Sequence, residues 1–155
     1  MVSIRMRLTF IFLGVLAALL LTPIAMATAM SFTVQAGQEV TKTLNLAVDD
    51  HVQIRFTVTG QTTSALGFYV TDPAGNVKVT FGIIGNLNYA FVCSEQGEYG
   101  LHFSNIGSTE DKLVSLDYEV EHYMFGMPQM LFLTLIVVGI CVVMVAVFIL
   151  IGKTR

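Results

Sequence analysis

Cysteine is scarce in this sequence: among 155 residues only Cys93 and Cys141 carry a thiol. Cys141 falls inside a long apolar run, so the two cannot pair. Cys93 keeps phase with Tyr89 and Phe91 in an alternating segment and is expected to behave as a small buried hydrophobe, not a nucleophile. An intermolecular disulfide would require Cys93 to be exposed. No Asn-x-Ser/Thr sequon occurs, so N-glycosylation is not expected. The chain also lacks a nucleophile elbow, a paired-carboxylate signature and a glycine loop after a strand to cradle phosphate. No catalytic residue is expected, and the chain reads as a non-enzyme. Between its two apolar ends there is no helical period of useful length, no repeat, no charge run and no low-complexity tract.

Charge is missing altogether from residues 130–151, a run of 22 that stops at Gly152-Lys153-Thr154-Arg155. At about 1.5 Å per helical residue it reaches about 33 Å, enough for a bilayer core of about 30 Å. The run therefore reads as a transmembrane helix in contact with membrane lipid, and 152–155 as a short cytoplasmic tail. Gly139 and Ala146 are small, but no Gly-x-x-x-Gly pair occurs, so a lone lipid-solvated helix is expected. Tyr123, Phe125 and Met124, Met127 and Met130 stand where an interfacial belt is expected. At the other end Arg5 and Arg7 precede an uncharged run at 8–21 and the small residues Ala25, Ala27 and Ala29. These are the parts of a secretory signal peptide at 1–29, with cleavage after Ala27 or Ala29, or of an uncleaved signal anchor.

Basic residues are few and their placement is informative. Four of the eight, Arg5, Arg7, Lys153 and Arg155, flank the apolar segments, as expected on the cytoplasmic side. The other four, Lys42, Arg55, Lys78 and Lys112, share the middle with all 11 acidic residues, which leaves that region at −7. An acidic exterior domain without clustered Lys and Arg excludes nucleic acid as a partner. The expected placement is single-pass, with 30–126 at the cell surface or in a lumen and the C-terminus in the cytoplasm.

Residues 30–126 suit one small domain. Their period is two: Val52, Ile54, Phe56 and Val58 alternate with polar neighbours. The pattern recurs at Leu66/Phe68/Val70, Val77/Val79/Phe81, Leu87/Tyr89/Phe91/Cys93, Tyr99/Leu101/Phe103 and Val114/Leu116/Tyr118/Val120. Stretches 32–34 and 43–48 are weaker strands. Turn signals separate the runs, most diagnostically Asp72-Pro73-Ala74-Gly75-Asn76, where Pro presets φ and Gly or Asn accepts positive φ. Seven or eight such strands imply an all-β fold, an antiparallel β-sandwich.

The order of pieces at 66–77, at 89–92, from Gly97-Glu-Tyr-Gly-Leu-His-Phe-Ser to Asn105-Ile-Gly-Ser108, and at 112–120 resembles the GOLD domain. It is similar to the lumenal part of the transmembrane cargo receptors that cycle between endoplasmic reticulum and Golgi. The resemblance implies a type I layout of signal peptide, GOLD sandwich, one membrane helix and short tail. It also implies a role in binding other exported or membrane proteins. Three departures stand beside it. The family's disulfide uses a cysteine in the Gly-x-Tyr-x-x-Cys-Phe strand, where this chain has His102. The membrane-proximal coiled coil is replaced by 122–129, too short for heptads. The tail Lys153-Thr154-Arg155 lacks the paired aromatics and dibasic signal that vesicle coats bind.

The remaining polar residues are expected to be bland. His51 is read in a turn, His102 on an outward strand face and His122 near the membrane, all solvated and without zinc spacing. Asp49-Asp50 and Glu110-Asp111 are read as solvated acidic turns, and no metal or cofactor is expected. Three functions follow: an exterior sandwich that binds an exported or membrane protein; a sandwich that takes a sugar or calcium at those two acidic loops; or an accessory subunit held by its helix. A homo-oligomer is compatible with each.

Overall fold

The computed structural model describes Gly14 and residues 28–153. Most of the 1–29 segment and the last two tail residues lie outside those. The chain divides near residue 124 into a β unit and a helical unit. The β unit holds β1 (Thr28–Val34), β2 (Glu39–Leu46), β3 (His51–Thr59), β4 (Leu66–Thr71), β5 (Val77–Ile84), β6 (Asn86–Val92), β7 (Gly97–Ser104) and β8 (Lys112–Glu121).

Two four-stranded antiparallel sheets result, ordered β1-β8-β3-β6 and β2-β7-β4-β5. The expected sandwich is thus observed with eight main strands, and consecutive strands mostly alternate between the sheets. This is the jelly-roll arrangement, with β1 and β2 along one open side and β5 and β6 along the other. The 32–34 and 43–48 stretches are longer and displaced: β1 runs back to Thr28, while β2 starts at Glu39 and stops at Leu46. The stop has a cause, because the Ala47 N–H donates to Asp50 Oδ2 at 2.8 Å and the chain turns there, with Asp49 at φ 67°.

The inward residues of both sheets close one core. Val52, Ile54, Phe56 and Val58 of β3 are buried, as are Leu66, Phe68 and Val70 of β4, Tyr99, Leu101 and Phe103 of β7, and Val114 and Leu116 of β8. Phe56 bridges the sheets, its ring 4.8 Å from Phe68 and 5.3 Å from Phe103. Toward the open sides burial falls off, and the inward residues of β5 and β6, among them Phe81, Tyr89 and Phe91, are only half-buried. Each open side carries one lysine across it. Lys42 Nζ lies 4.7 Å from the Phe32 ring, and Lys78 Nζ lies 5.5 Å from Phe91 and 5.6 Å from Tyr99. The aliphatic stem covers apolar surface while the ammonium stays wet.

The Asp72-Pro73-Ala74-Gly75-Asn76 turn forms as its composition requires. Gly75 sits at φ 83°, and the Asn76 N–H donates to Asp72 Oδ1 at 2.8 Å. That backbone bond, followed by the Asn76 side chain, holds the Asp72 carboxyl below its ordinary range against a small cost of burial.

Residues between sandwich and helix are more ordered than a plain spacer. Tyr123–Met124 (β9) and Met127–Pro128 (β10) form a two-stranded ribbon, turned through Phe125 and Gly126 at φ 53° and 77°. Two positive φ values in a two-residue loop match the right-handed twist of a hairpin. The helix α1 spans Gln129–Lys153, 25 residues against the 22 expected, and is about 37 Å long by its rise per residue. Among the described residues it is the one helix long and apolar enough to cross a membrane. Thr134 satisfies its hydroxyl internally, donating to the Met130 carbonyl at 2.8 Å.

Candidate functional site

Polar side chains gather at three places on the sandwich, and two of them correct the expectation of solvated residues. The first is the outer face of the β2-β7-β4 sheet. Register places Thr41, His102 and Tyr69 side by side on the three strands, with Glu39 one pleat along. His102 Nδ1 meets Glu39 Oε1 at 3.0 Å and Thr41 Oγ1 at 3.1 Å, while Nε2 meets Thr71 Oγ1 at 3.1 Å. The Tyr69 hydroxyl donates to the same Glu39 oxygen at 2.9 Å, and its ring stacks on the imidazole at 4.3 Å. Gly100 makes the arrangement fit, since a Cβ there would lie 2.6 Å from Thr71 Oγ1 and 2.7 Å from His102 Nε2. Burial works against the Glu39 charge, but the bonds from His102 and Tyr69 outweigh it and the carboxyl titrates below its ordinary value. Burial and the Glu39 carboxylate together push the Tyr69 hydroxyl up.

Thr71, His102 and Glu39 repeat the hydroxyl-imidazole-carboxylate order of an activated nucleophile. Thr71, however, sits on a strand laddered on both sides, to β5 and to β7. Beyond it the Asp72 N–H donates to the Asn76 carbonyl and the Asn76 N–H to Asp72 Oδ1, so the turn that follows spends these donors on itself. The cluster ties three strands together.

The second place is the pair of acidic loops, which lie at opposite ends of β3 and do not converge on one ligand. Asp50 is fully buried, receiving the Ala47 N–H on one oxygen and facing His122 Nδ1 at 2.8 Å on the other. The backbone at Asp49 and Asp50 exchanges 2.9 Å bonds with Cys93. His51 is not in the turn but opens β3, its ring stacked on Tyr123 at 3.9 Å. At the far end Glu110 accepts the N–H and hydroxyl of Thr62 on Oε2, at 2.8 and 2.7 Å, and those of Thr63 on Oε1, at 2.9 and 3.3 Å. Lys112, buried to 2% exposure, donates to the Thr63 carbonyl at 2.7 Å, to its hydroxyl at 2.6 Å and to Glu110 at 3.2 Å. The Thr63 and Thr62 donors, with Lys112 adding to them, hold the Glu110 carboxyl down at about 2. Asp111 Oδ1 accepts the Ala36 N–H at 2.9 Å. The Asn105 amide ties its own loop to the end of β1: Nδ2 donates to the carbonyls of Val34, Gln35 and Glu110.

Cys93 is 1% exposed, just past the end of β6, and its thiol is pushed up to about 11, first by burial and then by the nearby Asp50 charge. This is the buried, inert cysteine the alternation predicted. Among the described residues, no three His, Cys, Asp or Glu side chains come together as metal ligands.

The third place was not anticipated. On the outer face of the β1-β8-β3-β6 sheet, His51, Gln53, Ala90, Val92, Glu119 and Glu121 border a shallow hollow of about 300 Å³. It lies over β3, with β8 on one side and the edge strand β6 on the other. The signal was available in outward positions of three separate strands, but only register brings them together.

Alongside this geometry, the sequence profile described as emp24/gp25L/p24 family/GOLD matches residues 29–130, the sandwich from the second residue of β1 onward and the first two residues of α1. The chain belongs to this family. No curated protein matches it in sequence. Among solved structures, this GOLD sandwich is similar to a periplasmic inhibitor of g-type lysozyme, PliG, from Aeromonas hydrophila, at 15% identity and TM-score 0.48, over 63% of this chain and 88% of that one. It is also similar to the Yersinia pseudotuberculosis-derived mitogen, at 17% identity and TM-score 0.47, over 65% and 91%. Neither likeness bears on what this GOLD protein does. Within the GOLD domain, the strand position that the resemblance marked as half of a disulfide holds His102. Its ring links β7 to β2 and β4 by hydrogen bonds in place of a covalent bridge.

Proposed function

We propose that this GOLD protein is a non-enzymatic, single-pass membrane protein of the secretory pathway whose sandwich binds another exported or membrane protein. The observation that carries this reading is the family match over the sandwich together with α1 immediately behind it. Residues 130–151 span the membrane, and the flanking Arg5, Arg7, Lys153 and Arg155 hold the cytoplasmic side, leaving the acidic sandwich outside. The 1–29 segment acts as the signal peptide, and of its two cleavage points the one after Ala27 is preferred. Cleavage after Ala27 leaves β1 whole, because Thr28 and Ala29 already pair with Tyr118 and Asp117 of β8.

The small-ligand reading loses its support, since Asp50, Glu110 and Asp111 each serve as an internal bond acceptor and stand at two ends of the domain. Crosslinking in native membranes followed by mass spectrometry tests the proposal. Recovery of a discrete protein partner on sandwich residues is expected, whereas recovery of lipid and self alone overturns it. If replacing residues 130–151 by an unrelated span abolishes the partner, the helix and not the sandwich makes the decisive contact.

A further inference from the structure

Among the described residues, Asp49 and Phe125 are the two that take positive φ without being glycine, at 67° and 53°. Aspartate tolerates that region because its short side chain bonds locally, whereas a bulky aromatic is out of place there. The two-residue loop of a hairpin such as β9-β10 ordinarily favours Asn-Gly. Here it holds Phe125-Gly126, and the Phe125 side chain gains little cover from the protein, at 83% exposure. Backbone strain at a residue whose ring is left exposed points to a contact made outside the chain.

Other exposed apolar side chains lack this setting. Ile83 on β5 and Ile106 in the loop after β7 are 81% and 72% exposed, but each stands singly on the sandwich, as surface apolar residues commonly do. Phe125 instead continues an apolar surface. Met124 beside it is exposed, the Phe125 ring lies 5.4 Å from that of Phe132 on α1, and Leu131 and Leu133 on either side of Phe132 are exposed as well. Phe132 stands two residues inside the 130–151 run, about 3 Å by the helical rise. A ring held against it is at the depth where acyl chains begin. Tyr123, by contrast, is retained by the sandwich, its ring stacked on His51 at 3.9 Å.

Charge decides what kind of surface the tip can meet. No Lys or Arg occurs at 113–152, and no charged side chain of either sign at 123–152. Anionic headgroups therefore have nothing to pair with. The tip can recognise only an apolar surface, and the one continuous with Phe132 is the lipid around α1. Its backbone cannot follow the ring into hydrocarbon, because loop N–H and C=O groups need hydrogen-bond partners that acyl chains do not offer. The tip thus stops among the headgroups with its ring turned inward, the posture of an interfacial aromatic.

We infer that the Phe125-Gly126 tip, with Met124, is an anchor that docks on the lipid surface where α1 enters the membrane, its ring inserted at the top of the acyl chains. This rests on the reading of residues 130–151 as a membrane span and gives the chain a second lipid contact ahead of that span. The link in front of the helix is held at the bilayer surface instead of trailing as a free tether.

The chain contains no Trp, so a single introduced Trp reports its own position. Phe125→Trp and Ile140→Trp are compared in the full chain, in nanodiscs of phosphatidylcholine and of the same lipid brominated on its acyl chains. Brominated lipid is expected to lower the Phe125→Trp emission by about half or more, while iodide in the buffer lowers it little. Ile140→Trp, in the middle of the span, should be quenched by lipid in the same preparation. Lipid quenching at 140 with iodide quenching at 125 overturns the anchor and leaves the span reading standing. Iodide quenching at both positions overturns the span reading and the anchor with it. Protection of position 125 from both quenchers shows a protein contact, such as a second copy, and overturns the anchor too. A second variant removes any pull exerted by the introduced Trp itself. Phe125→Asn suits the positive φ better and deletes the ring. If the ring anchors the tip, hydrogen exchange at Met124 to Met127 in nanodiscs becomes several-fold faster in Phe125→Asn, whereas unchanged or slower exchange overturns the inference.

Discussion

The two ends of β3 solve one problem with different chemistry. Each end must hold an irregular loop against the sandwich, and each uses a carboxylate as acceptor: Asp50 for the turn before β3, Glu110 for the loop after it. At the Glu110 end the cation is Lys112, which is buried and bonds both Glu110 and Thr63. At the Asp50 end the acid itself is buried, while its partner His122 is half-exposed, at 56% of its side chain. The lesson is that burial of the carboxylate and burial of its partner have different consequences. Water can replace an exposed partner but cannot reach a buried one.

The largest break in this comparison is expected from Lys112→Ala. It leaves the Thr63 carbonyl and Glu110 without their cation and opens a void, and removing one member of a buried pair costs about 3–5 kcal/mol. Denaturant unfolding of the full chain in detergent micelles, followed by tyrosine fluorescence, measures it. Asp50→Ala follows at about 2 kcal/mol, because the Ala47 N–H loses a charged acceptor. Hydrogen exchange at Ala47 should rise with it.

His102 belongs to neither end, and it shows what a sequence alone conveys. The alternation in β3, β4, β7 and β8 made the buried faces legible, since Val52 to Val58 obey a period of two throughout and Tyr99 to Phe103 break it only at the buried Gly100. The β-sandwich followed from that pattern and the Asp-Pro-Ala-Gly-Asn turn. The jelly-roll order did not, because nothing local in β1 names β8 as its neighbour. The polar clusters were illegible for the same reason. His102 lies 63 residues from Glu39, and His122 lies 72 from Asp50. Residues that far apart look solvated until register sets them side by side. Glu110-Asp111 looked like a free acidic turn because its donors, Thr62 and Thr63, belong to a different loop.

Acid titration sharpens the contrast at the Glu110 end. That carboxyl titrates at about 2 in the folded chain against an ordinary 4.5, so its contribution is complete above about pH 4.5 and is lost as pH falls toward 2. Thermal unfolding midpoints should fall across that window and fall less steeply in Glu110→Gln. A residual slope remains in that variant, since Glu39 and Asp72 are also held below their ordinary values and act with the same sign.

His122→Ala should cost only about 1 kcal/mol, since solvent can take the place of a half-exposed imidazole beside Asp50. A loss as large as that of Lys112→Ala would show that water does not reach Asp50 and would erase the distinction between the two ends. The smallest effect concerns Cys93. With its thiol at about 11 and 1% exposure, alkylation by iodoacetamide at pH 8 should be negligible in the folded chain and prompt after denaturation.

The pairing of β1 with β8 has a consequence for how the domain comes into being. Thr28 lies opposite Tyr118, so among the described residues the strand that begins the sandwich finds its only partner in the strand that ends it. A chain made from its N-terminus must hold β1 unpaired until nearly the whole sandwich has been synthesised. Closure of the first sheet is thus postponed to the moment when the apolar residues of α1 are next to emerge. Folding of the working domain and delivery of the membrane segment become consecutive events in time, in a topology whose long-range pairings make that last step slow.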